Sequence, residues 1–388
     1  MESAEQVLEN MPETTVMEDD LLICSACQGS TDPFYQTYNL IMSGCIMALI
    51  GIVGLGGNCL VVRVYLSRTQ RIHSSSIYLA ALACSDFFLI LTALFLFVLE
   101  AWRHHNQPSI AWLYVNGTPF IFPLASVFQT SSVYFCVAAA VDCFISVVVP
   151  SLKGMCCTPH RARITVLTIM GFCLLYNIPH VFEVHKVSCW DDTANVTSSQ
   201  ICPTTFRQNV FYYTVYYTYM YTTFMAVGPL LLLIVINICV VSMVVYRSKT
   251  RPPAGKGGEI TERGTGIAEE AEESDLTSLI LVVFFFIFCN STALFVNFLE
   301  MILAANATEE NPPSNIFVYL VDFSNLLIVV NGTANFFCYL LFGASFKRTL
   351  KEILNPRQKL KLRVDESNEI IPVGWKSEPT KLEGAALL

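Results

Sequence analysis

The stretch Ser131–Pro150, SSVYFCVAAAVDCFISVVVP, sets the reading of the whole chain. It is a long apolar run with a single acid, Asp142, near its end. A bilayer core takes about 20 residues of helix to cross. Counted with this one, seven such runs occur, at about 40–66, 76–101, 118–150, 163–183, 209–246, 276–304 and 314–342. Lipid offers backbone groups no hydrogen-bond partners, so each run is predicted to be a helix. The 388 residues are 54% hydrophobic and 14% charged, with mean hydropathy +0.52. A soluble protein carries closer to a quarter charged residues. The net charge of −8 and pI of 5.3 argue against a nucleic-acid partner.

Basic residues orient the bundle. Arg63, Arg68 and Arg71 flank the first inner loop, Lys153, Arg161 and Arg163 the second, and Arg247, Lys249, Arg251, Lys256 and Arg263 the third. More follow the seventh run, from Lys347 to Lys381, whereas Arg103, Lys186 and Arg207 fall on the other side. The expected protein is multi-pass, with its N-terminus on the outer side of the membrane and its C-terminus on the inner side. Glycosylation sequons at Asn116, Asn195 and Asn306 fall in three outer loops and agree with this. Three parts follow: an extracellular acidic tail over 1–37, a seven-helix domain over 38–355 and a cytoplasmic tail over 356–388. The first shows no basic segment leading into an apolar one, so no cleaved signal peptide is expected. It is either a solvated tail or a negative funnel that gathers a cationic ligand.

Asp86 stands near the middle of the second run, where a carboxylate costs about 2.5–3.5 kcal/mol and is kept only against a polar cavity. Four cysteines face outward: Cys24, Cys27, Cys189 and Cys202. Cys189 and Cys202 share one long loop and could close a local ring, although four cysteines allow three full pairings. Pro229 interrupts the fifth run, where a kink would shape a cavity. The third inner loop, about 247–275, is Pro/Gly-rich and then acidic.

Eight residues in order resemble the rhodopsin-like G-protein-coupled receptors over about 38–355: Asn58, Asp86, Asp142, Pro150, Pro229, Asn335, Tyr339 and Phe346. That family's third helix ends Asp-Arg-Tyr and then Ile-x-Val-x-x-Pro; here the frame reads Asp142-Cys143-Phe144-Ile145, closing on Pro150. The arginine is absent. So are the outer cysteine, replaced by Thr118, and the tryptophan and proline of helix six, replaced by Asn290 and Thr292. Finer likeness is to the invertebrate FMRFamide-peptide receptors. It rests on Gln129-Thr130-x-Ser132-Val133-Tyr134, Thr205-Phe-Arg207-x-Asn209, Asn237 and Ser324-Asn325-Leu326-Leu327 with Asn335-Phe336.

The resemblance implies an all-α bundle of seven transmembrane helices and a short amphipathic eighth, opened by Phe346. It implies an extracellular peptide ligand and a heterotrimeric G protein as partners, the second in question because Cys143 cannot bear the arginine's charge. Asp86, Ser132, Asn331 and Asn335 would hold one sodium ion, with Gly332 weakening the site; no other cofactor is implied. Glu100, Glu300 and Asp322 would form an acidic rim for a peptide arginine, with Gln129, Tyr216 and Tyr221 deeper. Asp142, Cys143, Phe144, Glu272 and Tyr339 would make the G-protein face. The altered switch leaves weak coupling, unusual coupling or a ligand sink as alternatives. A transporter or channel would show repeats, broken helices or several intramembrane charges, and this sequence has one deep acid and no repeat. A membrane enzyme would need a catalytic motif such as HExxH or GxSxG, and neither occurs.

Overall fold

In a computed structural model of the chain, residues 22–23, 32–103, 108–191, 196–250, 261–306 and 316–354 are described. For some helical residues among them, Glu272 and Glu300 included, only the backbone is. A two-residue strand, β1 (Leu22–Ile23), precedes α1 (Pro33–Tyr65), α2 (Ser74–Arg103), α3 (Pro108–Val148) and α4 (Pro159–Tyr176). An outer hairpin follows, β2 (Val184–Asp191) and β3 (Val196–Pro203), then α5 (Val210–Arg247), α6 (Thr261–Asn306), α7 (Ile316–Phe342) and α8 (Ala344–Leu354). Seven of these helices are long and apolar enough to cross a membrane. Local signals start several of them. The Asp32 side chain accepts from Phe34 N ahead of Pro33, and Thr158 accepts from Arg161 N ahead of Pro159. Each pairs an N-cap acceptor with a proline whose missing N–H is no loss in the first turn.

Two boundaries differ from the hydropathy reading. Helix α3 starts at Pro108 rather than 118, so Asn116 sits on a helix and not in a loop. Its amide donates to Trp112 O at 2.7 Å. Helix α6 starts at Thr261, inside the stretch read as a loop, and its acidic segment is helical. The cause is common to both: a helix that projects past the bilayer needs no apolar run, so hydropathy marks the span and misses the extension.

Helices α1 and α7 touch closely. A Cβ on Gly57 would lie 2.7–2.9 Å from Phe336. Next to it, Asn58 Nδ2 donates to Gly54 O at 2.9 Å and across to Gly332 O at 3.0 Å. The Phe336 ring in turn meets Phe346 of α8, which is wholly buried and also packs on Tyr65 and Tyr339. This anchors the short helix, with Lys347 and Arg348 beside it, to the bundle.

Ahead of Pro229, α5 is wound as a π-helix over Tyr213–Met220 and Thr222–Val227. Gly228 N donates to Thr223 O, and a Cβ there would come within 2.5 Å of that oxygen. The expected irregularity is therefore present as wide turns that glycine permits. Helix α6 runs through Thr292, whose hydroxyl reaches Phe288 O at 3.4 Å.

The outer hairpin corrects the predicted disulfide. Strands β2 and β3 pair so that Cys189 faces Ser198 while Cys202 faces His185. The two cysteines are displaced along the ladder by about 13 Å at about 3.3 Å per residue, beyond the roughly 7 Å that a disulfide spans. Both are disulfide-bonded, yet the other described cysteines are free. Their partners thus lie outside the described residues, where Cys24 and Cys27 also fall. β1 runs parallel to β2, with Leu22 opposite Cys189.

Candidate ligand cavity and switch region

On the hairpin side of the bundle, α3 to α7 enclose a cavity of about 410 Å³. Gln129 and Thr130 reach it from α3, Tyr221 and Met225 from α5, and Val296 and Asn325 from α6 and α7. Apolar and aromatic walls with a few placed polar groups are what a small binding site needs. Gln129 and Tyr221 both line this cavity. Tyr216 does not line the cavity: its hydroxyl donates to Tyr176 O at 2.6 Å and its ring stacks on Tyr212 at 5.1 Å.

The acidic rim is also arranged differently. Asp322 is buried and accepts from Asn39 of α1 at 3.0 Å, while Glu100 pairs with Arg103 at 3.9 Å. These two acids sit toward α1 and are absent from the cavity lining. The side chain of Glu300 lies outside the described residues, as do those of Glu272, Asn195 and Asn306.

A group not expected from the sequence lies at the outer end of α4. Glu183 has no solvent exposure. Its Oε1 accepts from Tyr212 OH at 2.5 Å and lies 2.8 Å from His180 Nδ1, and its Oε2 lies 4.0 Å from Arg207 Nη1. Burial pushes this carboxyl up, but the hydrogen bonds from His180 and Tyr212 and the charges of His180 and Arg207 outweigh it and hold the group below its ordinary value. It is thus ionised at neutral pH. A depressed carboxylate contributes stability above its unfolded value, about 4.3, and loses it only as pH falls through the lower native value. The one usable signal was an acid directly after an apolar run and three residues from a histidine.

Deeper, Asp86 is wholly buried. Ser132 Oγ donates to its Oδ1 at 2.6 Å and Asn335 Nδ2 to its Oδ2 at 2.7 Å. Asn331 joins neither bond; its Oδ1 is buried and unbonded among the described residues, as are Asn335 Oδ1 and Ser85 Oγ. A carboxylate beside spare oxygen acceptors fits a hard cation.

At the inner end, Asp142 Oδ2 accepts from Ser74 Oγ at 2.9 Å. Cys143 and Phe144 pack against the inner core. Arg247 Nη2 donates to Val147 O at 2.7 Å, tying α5 to α3. Asp275 Oδ1 accepts from Ser345 N at 3.0 Å, and Ser274 Oγ donates to Phe342 O, tying α6 to the start of α8. Tyr339 is buried, edge-on to Tyr65 at 5.4 Å.

Residues 57–339 match the family model of the 7 transmembrane receptor (rhodopsin family). The chain belongs to that family, a family of receptors and not of enzymes. It is 38% identical over 333 residues to the Probable G-protein coupled receptor frpr-1 of Caenorhabditis elegans, covering 82% of this chain and 80% of that one. It is 27% identical over 308 residues to the FMRFamide receptor of Drosophila melanogaster, covering 79% of this chain and 52% of that one. It is 27% identical over 320 residues to the FMRFamide peptide receptor frpr-18 of Caenorhabditis elegans, covering 81% and 69% respectively.

Proposed function

We propose that the chain is a plasma-membrane receptor for an amidated neuropeptide of the FMRFamide type, acting through a heterotrimeric G protein. Its N-terminus lies outside and its C-terminus inside, so that Asn116, Asn195 and Asn306 meet the glycosylation machinery. The observation that carries the reading is the cavity under the hairpin. Gln129, Asn325 and the tyrosines offer donors and acceptors among apolar walls, which suits a peptide end that brings both an aromatic ring and a carboxamide. The relatives named for FMRFamide support the ligand class. The test is displacement of a labelled amidated peptide from membranes expressing the full chain, with nucleotide exchange on added G protein read in parallel. Binding with exchange is expected. No displacement by any amidated peptide overturns the ligand class. Binding without exchange favours the ligand-sink reading, which the cysteine at position 143 recommends.

Asp86, Ser132, Asn331 and Asn335 would hold a sodium ion, and the unbonded Oδ1 of Asn335, whose Nδ2 already meets the carboxylate, supports this. The ion would stabilise the resting arrangement of α2, α3 and α7. Sodium chloride, set against choline chloride at equal ionic strength, is expected to raise the melting temperature of purified receptor by a few degrees. Asp86→Asn is expected to remove the difference. An equal response of both proteins to the two salts would rule the ion out.

A further inference from the structure

Helix α5 forms one wall of the cavity. The residues it contributes, Tyr213, Thr218, Tyr221, Thr222 and Met225, all lie in or between its two π-wound stretches. The register of those turns therefore decides which side chains face the cavity. Just ahead of Pro229, that register leaves a backbone carbonyl unserved by its own helix. In an α-helix Phe224 O would accept from Gly228 N, one turn on. Here Gly228 N donates to Thr223 O instead, the wider bond of a π turn. The N–H that a π turn would offer to Phe224 O belongs to position 229, where proline has none. An unpaired carbonyl within a bilayer is costly. Another helix fills the place: the Tyr134 hydroxyl of α3 donates to Phe224 O at 2.9 Å. Phe172 of α4 meets the Tyr134 ring edge-on at 5.5 Å. Glycine at 228 is part of the same arrangement, since a Cβ there would come within 2.5 Å of Thr223 O.

We propose that Tyr134 is a positioning residue for the ligand site: its hydroxyl holds α5 in the π register that turns Thr218 and Thr222 to the cavity. Without that bond, Gly228 N can return to Phe224 O. Closing an α turn there takes one residue out of the winding and rotates the outer part of α5 by about 100°. Tyr219, now 66% exposed, would then come to the place that Thr218 holds. A tyrosine there would fill space that the peptide end needs. The role assigned to Tyr134 in binding rests on the peptide-receptor reading; the register does not.

The test uses the full-length receptor in lipid nanodiscs, carrying Thr218→Cys or Tyr219→Cys, and a water-soluble methanethiosulfonate reagent. Labelling of the parent chain is subtracted. A thiol at 218 faces the cavity and is expected to react faster than one at 219, which faces lipid. Tyr134→Phe keeps the ring against Phe172 and removes only the hydroxyl. It is expected to lower the ratio of the two rates by about fivefold, as loss of one hydrogen bond would give. Gly228→Ala should lower the ratio at least as far. A general loosening of the bundle would raise both rates together and leave the ratio alone. In Tyr134→Phe, affinity for a peptide ending in Phe-Met-Arg-Phe-amide should fall by a similar factor. An unchanged ratio in Tyr134→Phe overturns the inference, whatever Gly228→Ala does, and so does a lowered ratio with unaltered affinity. If wild type binds no such peptide, the ligand class fails, while the labelling ratio still decides the register.

Discussion

Gly57→Val should leave little folded receptor at the cell surface. A Cβ there would fall 2.7–2.9 Å from three atoms of Phe336, including its Cβ, so the ring cannot turn aside without moving α7. Overpacking of this kind costs about 1–3 kcal/mol. Parting α1 from α7 also breaks the hydrogen bond from Asn58 to Gly332 O, and such interhelical bonds in membranes contribute about 0.6–1.7 kcal/mol. The sum, about 2–5 kcal/mol, is a large share of the stability of an ordinary domain. Gly56→Val is the control, because nothing lies within 4 Å of a Cβ at that position. Surface labelling and thermal unfolding in detergent should separate the two variants. Equal expression and equal melting would show that the contact between α1 and α7 is looser than described.

Cys143→Arg is expected to raise nucleotide exchange on G protein, basal or peptide-driven, by about fivefold or more, the lower end of ordinary coupling free energies. Asp142 now has a hydroxyl partner, Ser74, at 2.9 Å, and its neighbour Cys143 is an uncharged side chain among apolar ones. The family's arginine would restore a long cation beside that carboxylate, at the end of α3 away from the hairpin. Cys143→Leu, which adds bulk and no charge, should change nothing. Unaltered exchange by Cys143→Arg, in cells where it reaches the surface as wild type does, would count against a defective switch.

Much of this molecule was legible because hydropathy and spacing act over short distances. Each of the seven spans has to satisfy its own backbone, so length and lack of charge locate it without reference to its neighbours. Asp86 was readable as a bundle-facing acid because lipid excludes the alternative, and the structure indeed joins it to Ser132 and Asn335. The misreadings came where partners are remote. Cys189 and Cys202 share a loop, but strand register keeps them apart, and register is not visible in the spacing of two cysteines. Asp322 looked like a rim acid, yet Asn39, far away in the chain, claims it. Glu183 was overlooked because its meaning comes from Tyr212 and Arg207, which follow the whole hairpin.

The inner end of α6 has taken on a second task. Asp275 supplies the acceptor that the opening turn of α8 lacks on its own, and Ser274 holds the last turn of α7. An outward swing of α6 would have to strip that terminus of its acceptor. Whatever docks on α8 thereby gains leverage over the bundle, and the bundle over it, as two leaves of one hinge share a pin.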